Sequence, residues 1–160
     1  MKKVDKFINP SKGPMSFEEM YQDIFAFIGN QPLGVYKLII GTDSQVRDDT
    51  CFVTDVVIHR VGKGARYYYA KGHQRRIDSL RQRIFYETSF SLEVAGRFAK
   101  NLSEDGHEDL DVEIHLDIGP NGETKDLIRE IVGMVVGNGF EAVIKPDASG
   151  ASKVADKHTK

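Results

Sequence analysis

The stretch YKLIIGTDSQV, residues 36–46, decides the fold class of this chain. Side chains of a strand alternate between its two faces, and an apolar run without alternation is typical of a strand covered on both faces. The run Leu38, Ile39 and Ile40 has this character, and it leads through a glycine to Asp43. The stretch therefore predicts a central strand of an α/β sheet, with a carboxylate near the strand end, where the sites of such sheets gather.

The residues on either side of this strand predict a helix and two more strands. Ser16 and Glu19 have the spacing of a capping box before an apolar-periodic run, so we expect a helix over about 16–29. Strands are predicted over 51–61 and 65–72, with a glycine turn between them. The connections are short, which indicates that the first three strands form an antiparallel meander.

The second half of the chain alternates helices with strands. We predict a long helix over 78–103, a strand over 111–119, a helix over 123–137, a strand over 140–146 and a terminal helix over 150–160. Right-handed crossovers place the fourth and fifth strands parallel to the first. The expected fold is a mixed five-stranded sheet, antiparallel for strands one to three and parallel for strands one, four and five, flanked by helices.

Length and composition limit the protein class. The 160 residues are 40% hydrophobic and 29% charged, which fits one globular domain over 1–160 and is too short for a two-lobed kinase. We expect an irregular N-terminal arm over 1–14, an arm and helix together over 1–35, and a core over 36–160. With no apolar span, no signal peptide and a single cysteine, Cys51, the sequence predicts a cytoplasmic protein without membrane contact, disulfides or a cysteine-based zinc site.

Positive charge is concentrated in one segment of a chain whose net charge is only −2. Residues 60–83 contain eight lysines and arginines and one acid, whereas the rest of the chain is acidic. A basic segment on an acidic body favours contact with a polyanion, and the alternative is an ordinary solvated hairpin and helix face. The candidate contacts to nucleic acid are Lys63, Arg66, Lys71, Arg75, Arg76 and Arg81.

Tyrosines 67–69 lie within this basic segment. They would either stack on bases or, by strand alternation, divide between an inward and an outward face of the sheet.

Carboxylates at the ends of the first and fourth strands are the main candidates for a site. Asp43 and Asp117 lie at the ends of these strands, and adjacent strands lie about 4.8 Å apart, so the two side chains can share a cation. On a helical wheel of the long helix, Glu87 falls inside the apolar stripe, whereas Glu93 falls opposite, four residues before Arg97. A carboxylate facing a sheet is costly unless it is paired or metal-bound, so we choose Glu87 as the third member.

Each of these carboxylates also has an ordinary interpretation. Asp43 and Asp117 are in sequence contexts typical of turns. Glu87 can be a partly buried carboxylate paired with arginine, such as Arg83.

Four stretches carry a resemblance to a known family: YKLIIGTDSQV (36–46), IDSLRQRIFYETSFSLE (77–93), IHLDIGPNGETK (114–125) and IKPDASGASKVADKHTK (144–160). Over nearly its whole length the chain resembles the YkuK family of ribonuclease-H-like proteins. The element order, apart from the first helix, is similar to that of the ribonuclease H fold.

The resemblance implies a set of catalytic carboxylates. By position these are Asp43, Glu87, Asp117 and Asp156, with Asp147 as an alternative last metal ligand. The sequence departs from the usual pattern in one place, because TDSQ stands where ribonuclease H has Asp-Gly-Ser.

Such a carboxylate set predicts Mg²⁺ or Mn²⁺ as cofactor, since hard cations prefer oxygen ligands. Two ions about 3.5–4 Å apart clamp a phosphodiester for in-line hydrolysis. The predicted function is a metal-dependent nuclease in which Asp43 bridges the ions, acting on RNA, DNA or a hybrid.

The alternatives are a non-catalytic module that binds nucleic acid or protein on the same fold, and a small-molecule phosphohydrolase. No glycine-rich motif predicts a nucleotide cofactor. The oligomeric state is left open.

Overall fold

The computed structural model describes residues 4–147, which form three α-helices and one seven-stranded sheet. The helices are α1 (Phe17–Asn30), α2 (Leu80–Glu104) and α3 (Ile128–Gly137). The strands are β1 (Phe7–Asn9), β2 (Gly13–Met15), β3 (Tyr36–Val46), β4 (Thr50–Arg60), β5 (Gly64–Gln74), β6 (Asp111–His115) and β7 (Glu141–Val143).

The strand order is β2-β1-β5-β4-β3-β6-β7. Strands β3, β4 and β5 pair antiparallel, while β6 is parallel to β3 and β7 is parallel to β6. The five consecutive strands β5-β4-β3-β6-β7 therefore have the predicted arrangement, with the stretch 36–46 at their centre. The predicted total of five was wrong, because a hairpin from the N-terminal arm adds two strands at one edge.

This hairpin, β1–β2, was missed because its strands are only three residues long. The Asn9 Oδ1 atom accepts hydrogen bonds from the backbone N–H groups of Ser11 and Lys12, and Gly13 closes the turn with a φ of +81°. The Asn9 amide donates to the Tyr67 carbonyl, and β1 pairs with β5. The arm over 1–14 is thus not irregular where it is described.

The helix starts follow from local capping. Ser16 and Glu19 form the predicted capping box at the start of α1. Ser79, not Asp78, caps α2, since its hydroxyl accepts from the Gln82 N–H.

The predicted helix over 123–137 begins as a 3₁₀ turn over Lys125–Leu127 and continues as α3. The predicted terminal helix over 150–160 lies outside the described residues.

Strand β3 is covered as its apolar run predicts. Leu38 and Ile40 belong to the main core, which also contains the buried faces of all three helices. Ile39, on the opposite face, packs with Val57 in a second, smaller cluster. No helix within residues 4–147 combines the length and the apolar character needed to cross a membrane.

Candidate active site

Two aspartates lie together where the parallel pair β3–β6 ends. Gly41 is paired with His115 in the last ladder position, and Asp43 and Asp117 each follow two residues further along the chain. Asp43 was expected at the end of its strand, but β3 continues to Val46. The neighbouring strand β6 ends at His115, so β3 extends beyond it. Asp43 lies in this extension of β3 and is exposed.

Glu87, on helix α2, lies beside this extension of β3 and is only 8% exposed. The Ser44 hydroxyl donates a hydrogen bond of 2.5 Å to Glu87 Oε2. Burial raises the pKa of Glu87 to about 7; the Ser44 hydrogen bond opposes this, Asp43 and Asp117 add to it, and Arg83 opposes it. The Arg83 charge acts on Glu87, while its Nη1 atom donates to the backbone carbonyls of Ile77 and Asp78.

Asp43 is affected by the same group of charges. Its carboxylate is at the surface, yet the surrounding protein removes enough water to raise its pKa, and the negative charge of Asp117 adds to this effect. The positive charge of Lys145 acts in the opposite direction. The structure therefore places three of the sequence-predicted carboxylates, Asp43, Glu87 and Asp117, within range of one another's charge.

Lys145 is a member of this site that the sequence analysis missed. Its Nζ atom lies 2.7 Å from Asp117 Oδ1. The hydrogen bond and charge of Asp117 raise the pKa of Lys145, and Asp43 and Glu87 contribute to this shift. Ser44 was also missed as a partner of Glu87. Strand alternation carried a weak signal for it, because the even-numbered β3 residues face the helices.

The chemistry of this donor set fits a hard divalent cation. Carboxylates that repel one another and offer only acceptor oxygens are ligands that Mg²⁺ and Mn²⁺ prefer. Within residues 4–147, however, no three His, Cys, Asp or Glu side chains form a ready-made metal cluster. A void of about 10 Å³, lined by Glu87 and Asp117, leaves room for roughly one water molecule between α2 and the sheet.

The remaining predicted ligands lie in the C-terminal part of the chain. Asp147 is exposed and follows Lys145 by two residues. Asp156 lies outside the described residues. On α2, Glu93 forms the predicted i,i+4 pair with Arg97, at 3.7 Å, although it is only 27% exposed and not fully solvated.

The structure separates the predicted basic residues into groups. Arg66 faces helix α1, where its guanidinium lies 3.3 Å from Asp23 and over the ring of Phe27. Lys63 lies in the exposed β4–β5 turn. Lys71 is exposed on β5, with its ammonium 5.9 Å from the Tyr69 ring.

The tyrosine run alternates between the two faces of the sheet as predicted. Tyr68 is fully buried and donates to Asp23, whereas the Tyr67 and Tyr69 rings stack on the opposite face. Tyr68 therefore cannot stack on a base.

Arg75, Arg76 and Arg81 line an open cleft of about 580 Å³ at the start of helix α2. The cleft also contains the aromatic rings of Phe85 and Tyr86.

Two acids partly compensate this positive charge. Asp78 pairs with Arg76 at 2.7 Å and Glu130 pairs with Arg81 at 2.9 Å, and both pairs are exposed. Exposed ion pairs of this kind are weak, so a polyanion can replace these carboxylates.

A model of the family described as ribonuclease H-like matches residues 19–160 of the chain. The chain belongs to the ribonuclease H-like family. It is also 41% identical, over 172 aligned residues, to a protein of Bacillus subtilis (strain 168) named "Uncharacterized protein YkuK". That alignment covers 96% of each chain, which confirms the resemblance to YkuK. No solved structure matches this member of the ribonuclease H-like family.

Proposed function

We propose that the chain is a divalent-cation-dependent nuclease that hydrolyses phosphodiester bonds of nucleic acid. One observation supports the proposal: Asp43, Glu87 and Asp117 come from three separate elements and lie within range of one another's charge near the end of the parallel strand pair of a ribonuclease H-like fold. Burial and neighbouring negative charge raise the pKa of Glu87 and of Asp43, which costs stability at neutral pH when no cation is present, so a role in cation binding explains this arrangement better than a structural one.

Asp43, Glu87 and Asp117 would hold Mg²⁺ or Mn²⁺, with Asp147 or Asp156 as a further ligand. When bound, the cation supplies Lewis-acid activation of water and of the leaving oxygen. Ser44 orients the Glu87 carboxylate through its hydrogen bond. Burial raises the pKa of Glu87 to about 7, so Glu87 must release a proton at neutral pH before it can hold a cation.

The substrate phosphates would contact the arginine cleft, which begins close to the carboxylates. Arg81 precedes Glu87 by six residues on the same helix, a rise of about 9 Å. Arginine and aromatic side chains together suit a phosphate backbone and an unpaired base.

The experiment that tests the nuclease compares wild type with Asp43→Asn on end-labelled single-stranded, duplex and hybrid substrates, with Mg²⁺, Mn²⁺ or EDTA. Loss of a cation ligand removes several kcal/mol of transition-state stabilisation, so we expect turnover to fall about 10³-fold. Asp48→Asn, in the exposed turn after β3, is the matched control and should retain full activity. Absence of metal-dependent cleavage by a folded wild type would refute the proposal.

The cleft has its own test in the double substitution Arg75→Ala with Arg81→Ala. Losing two phosphate contacts should weaken binding of single-stranded nucleic acid and reduce the slope of log K against log salt by about 1.4. Lys63→Ala, in the β4–β5 turn, should leave both quantities unchanged. Equal effects of the two substitutions would mean that the whole basic surface, and not the cleft, binds the phosphates.

A non-catalytic binding module is the second candidate. It is favoured by one observation, namely that residues 4–147 hold no ready-made cluster of three metal-ligating side chains. Binding of nucleic acid without cleavage, unaffected by Asp43→Asn, would support it. A small-molecule phosphohydrolase is disfavoured, because the void beside Glu87 is only about 10 Å³.

A further inference from the structure

Lys145 is held against the carboxylates by its backbone as well as by its side chain. The Lys145 N–H donates to the Ile118 carbonyl at 2.8 Å, which joins the segment after β7 to the segment after β6. A Cβ atom added to Gly119 would lie only 2.9 Å from the Lys145 Cβ, so the close approach requires glycine there. This approach sets the Lys145 ammonium 2.7 Å from Asp117 Oδ1.

The Lys145 ammonium and a divalent cation would compete for the same oxygen of Asp117. Asp43, Glu87 and Asp117 together carry three negative charges when ionised, and Lys145 returns one positive charge. A single divalent cation then neutralises the site. A second cation at Asp117 would lie beside the Lys145 ammonium, and two positive charges at one carboxylate repel each other.

We propose that the Lys145 ammonium takes the place of one of the two cations, so that the site binds a single divalent ion and Lys145 contacts the scissile phosphate. This inference rests on the proposed nuclease function. Lysine suits the role because its ammonium is a compact charge with three donors, able to contact a carboxylate and a phosphate oxygen at once. The cation and the ammonium would then share the stabilisation of the developing negative charge.

The experiment measures Mn²⁺ binding to the full chain by calorimetry and by electron paramagnetic resonance, alongside cleavage. Wild type should bind one Mn²⁺ per chain. Lys145→Met should bind Mn²⁺ about tenfold more tightly or take up a second ion, because the competing charge is gone. Its turnover should nevertheless fall about 10²-fold at saturating Mn²⁺, as expected for loss of a charge clamp.

Two further variants separate the role of the charge from effects on folding. Lys37→Met removes the lysine of another lysine–carboxylate pair, Lys37 Nζ to Glu113 Oε2 at 3.2 Å, and should change neither Mn²⁺ binding nor turnover. Gly119→Ala keeps the ammonium but displaces it, and should shift Mn²⁺ affinity in the same direction as Lys145→Met.

The possible results distinguish this inference from the proposed function. Two Mn²⁺ ions in wild type, or a Lys145→Met variant with unchanged Mn²⁺ binding, would overturn the role of Lys145 even if the protein is a nuclease. One ion in wild type, tighter binding in Lys145→Met and no cleavage by either protein would refute the nuclease and retain Lys145 as the competing cation.

Discussion

Two glutamates of this protein are buried to a similar extent, but the charges around them differ in sign. Glu113 on β6 is 7% exposed and Glu87 on α2 is 8% exposed. Glu113 has a cationic partner, Lys37, at 3.2 Å, and His115 lies at the same distance. Glu87 has one hydroxyl donor, Ser44, and the negative charges of two aspartates nearby. Burial alone therefore does not mark a site.

What distinguishes the two regions is charge compensation. A buried carboxylate with a cation beside it is a structural ion pair, stable as it stands. A buried carboxylate beside like charges has its pKa raised and gains from any cation that binds. The structure thus has one acidic region in which the buried glutamate contacts a cation, and one in which the cation, Lys145, contacts Asp117 instead; the second is the candidate active site.

The largest expected difference between the regions is in catalysis. Glu87→Gln keeps the shape of the side chain but removes a cation ligand, so we expect turnover to fall about 10²- to 10³-fold. Glu113→Gln should change turnover by less than about twofold, because Glu113 belongs to the other region. Cleavage assays at saturating Mn²⁺ check both values. A large loss of turnover in Glu113→Gln would remove the distinction between the regions.

The next difference is in the pH dependence of stability. The pKa of Glu87 in the folded chain, about 7, lies above its ordinary 4.5, so the folded chain keeps a proton that the unfolded chain has lost. The corresponding stabilisation is complete below pH 4.5 and is lost as pH rises through 7, by about 3 kcal/mol in total.

Urea unfolding of wild type and Glu87→Gln without divalent cations measures this effect. The glutamine of the variant cannot ionise, so the free energy of unfolding of the variant should exceed that of wild type by an amount that grows from pH 5 to pH 8.5. Adding Mn²⁺ should reduce this difference in the free energy of unfolding, because a bound cation stabilises the ionised carboxylate of wild type. A difference in the free energy of unfolding that does not change with pH would show that positive charge near Glu87 compensates its ionised carboxylate.

The smallest expected effect is on the stability of the region around Glu113. Glu113→Gln weakens the pair with Lys37, whose ammonium remains partly in water, so the free energy of unfolding should fall by about 1 kcal/mol. Urea unfolding at pH 7.5 checks this value. The sign is opposite to that for Glu87→Gln at the same pH, and equal signs would contradict the comparison.

Local patterns were sufficient for much of the fold. The apolar run of β3 predicted a strand covered on both faces, and short connections predicted the antiparallel meander. The N-terminal hairpin was missed because its pairing depends on β5, some 60 residues away, and on an asparagine side chain that closes the turn.

The candidate site, like the fold, was predicted only in part from local patterns. Helical periodicity placed Glu87 on the buried stripe, and strand order placed Asp43 beside Asp117. The separation of the basic residues into groups was not predictable. Arg66 and Arg75 are arginines of the same basic segment, and they differ in whether helix α1 lies beside them.

The sequence by itself determined which face each side chain occupies, since the periods of helix and strand are properties of the local backbone. It thereby determined that Glu87 is buried and that Asp43 lies on the central strand. The tertiary structure alone decided the partners: Ser44 for Glu87 and Lys145 for Asp117. These contacts join residues distant in the chain, and their geometry depends on how α2 and the segment after β7 pack against the sheet, which no local period specifies.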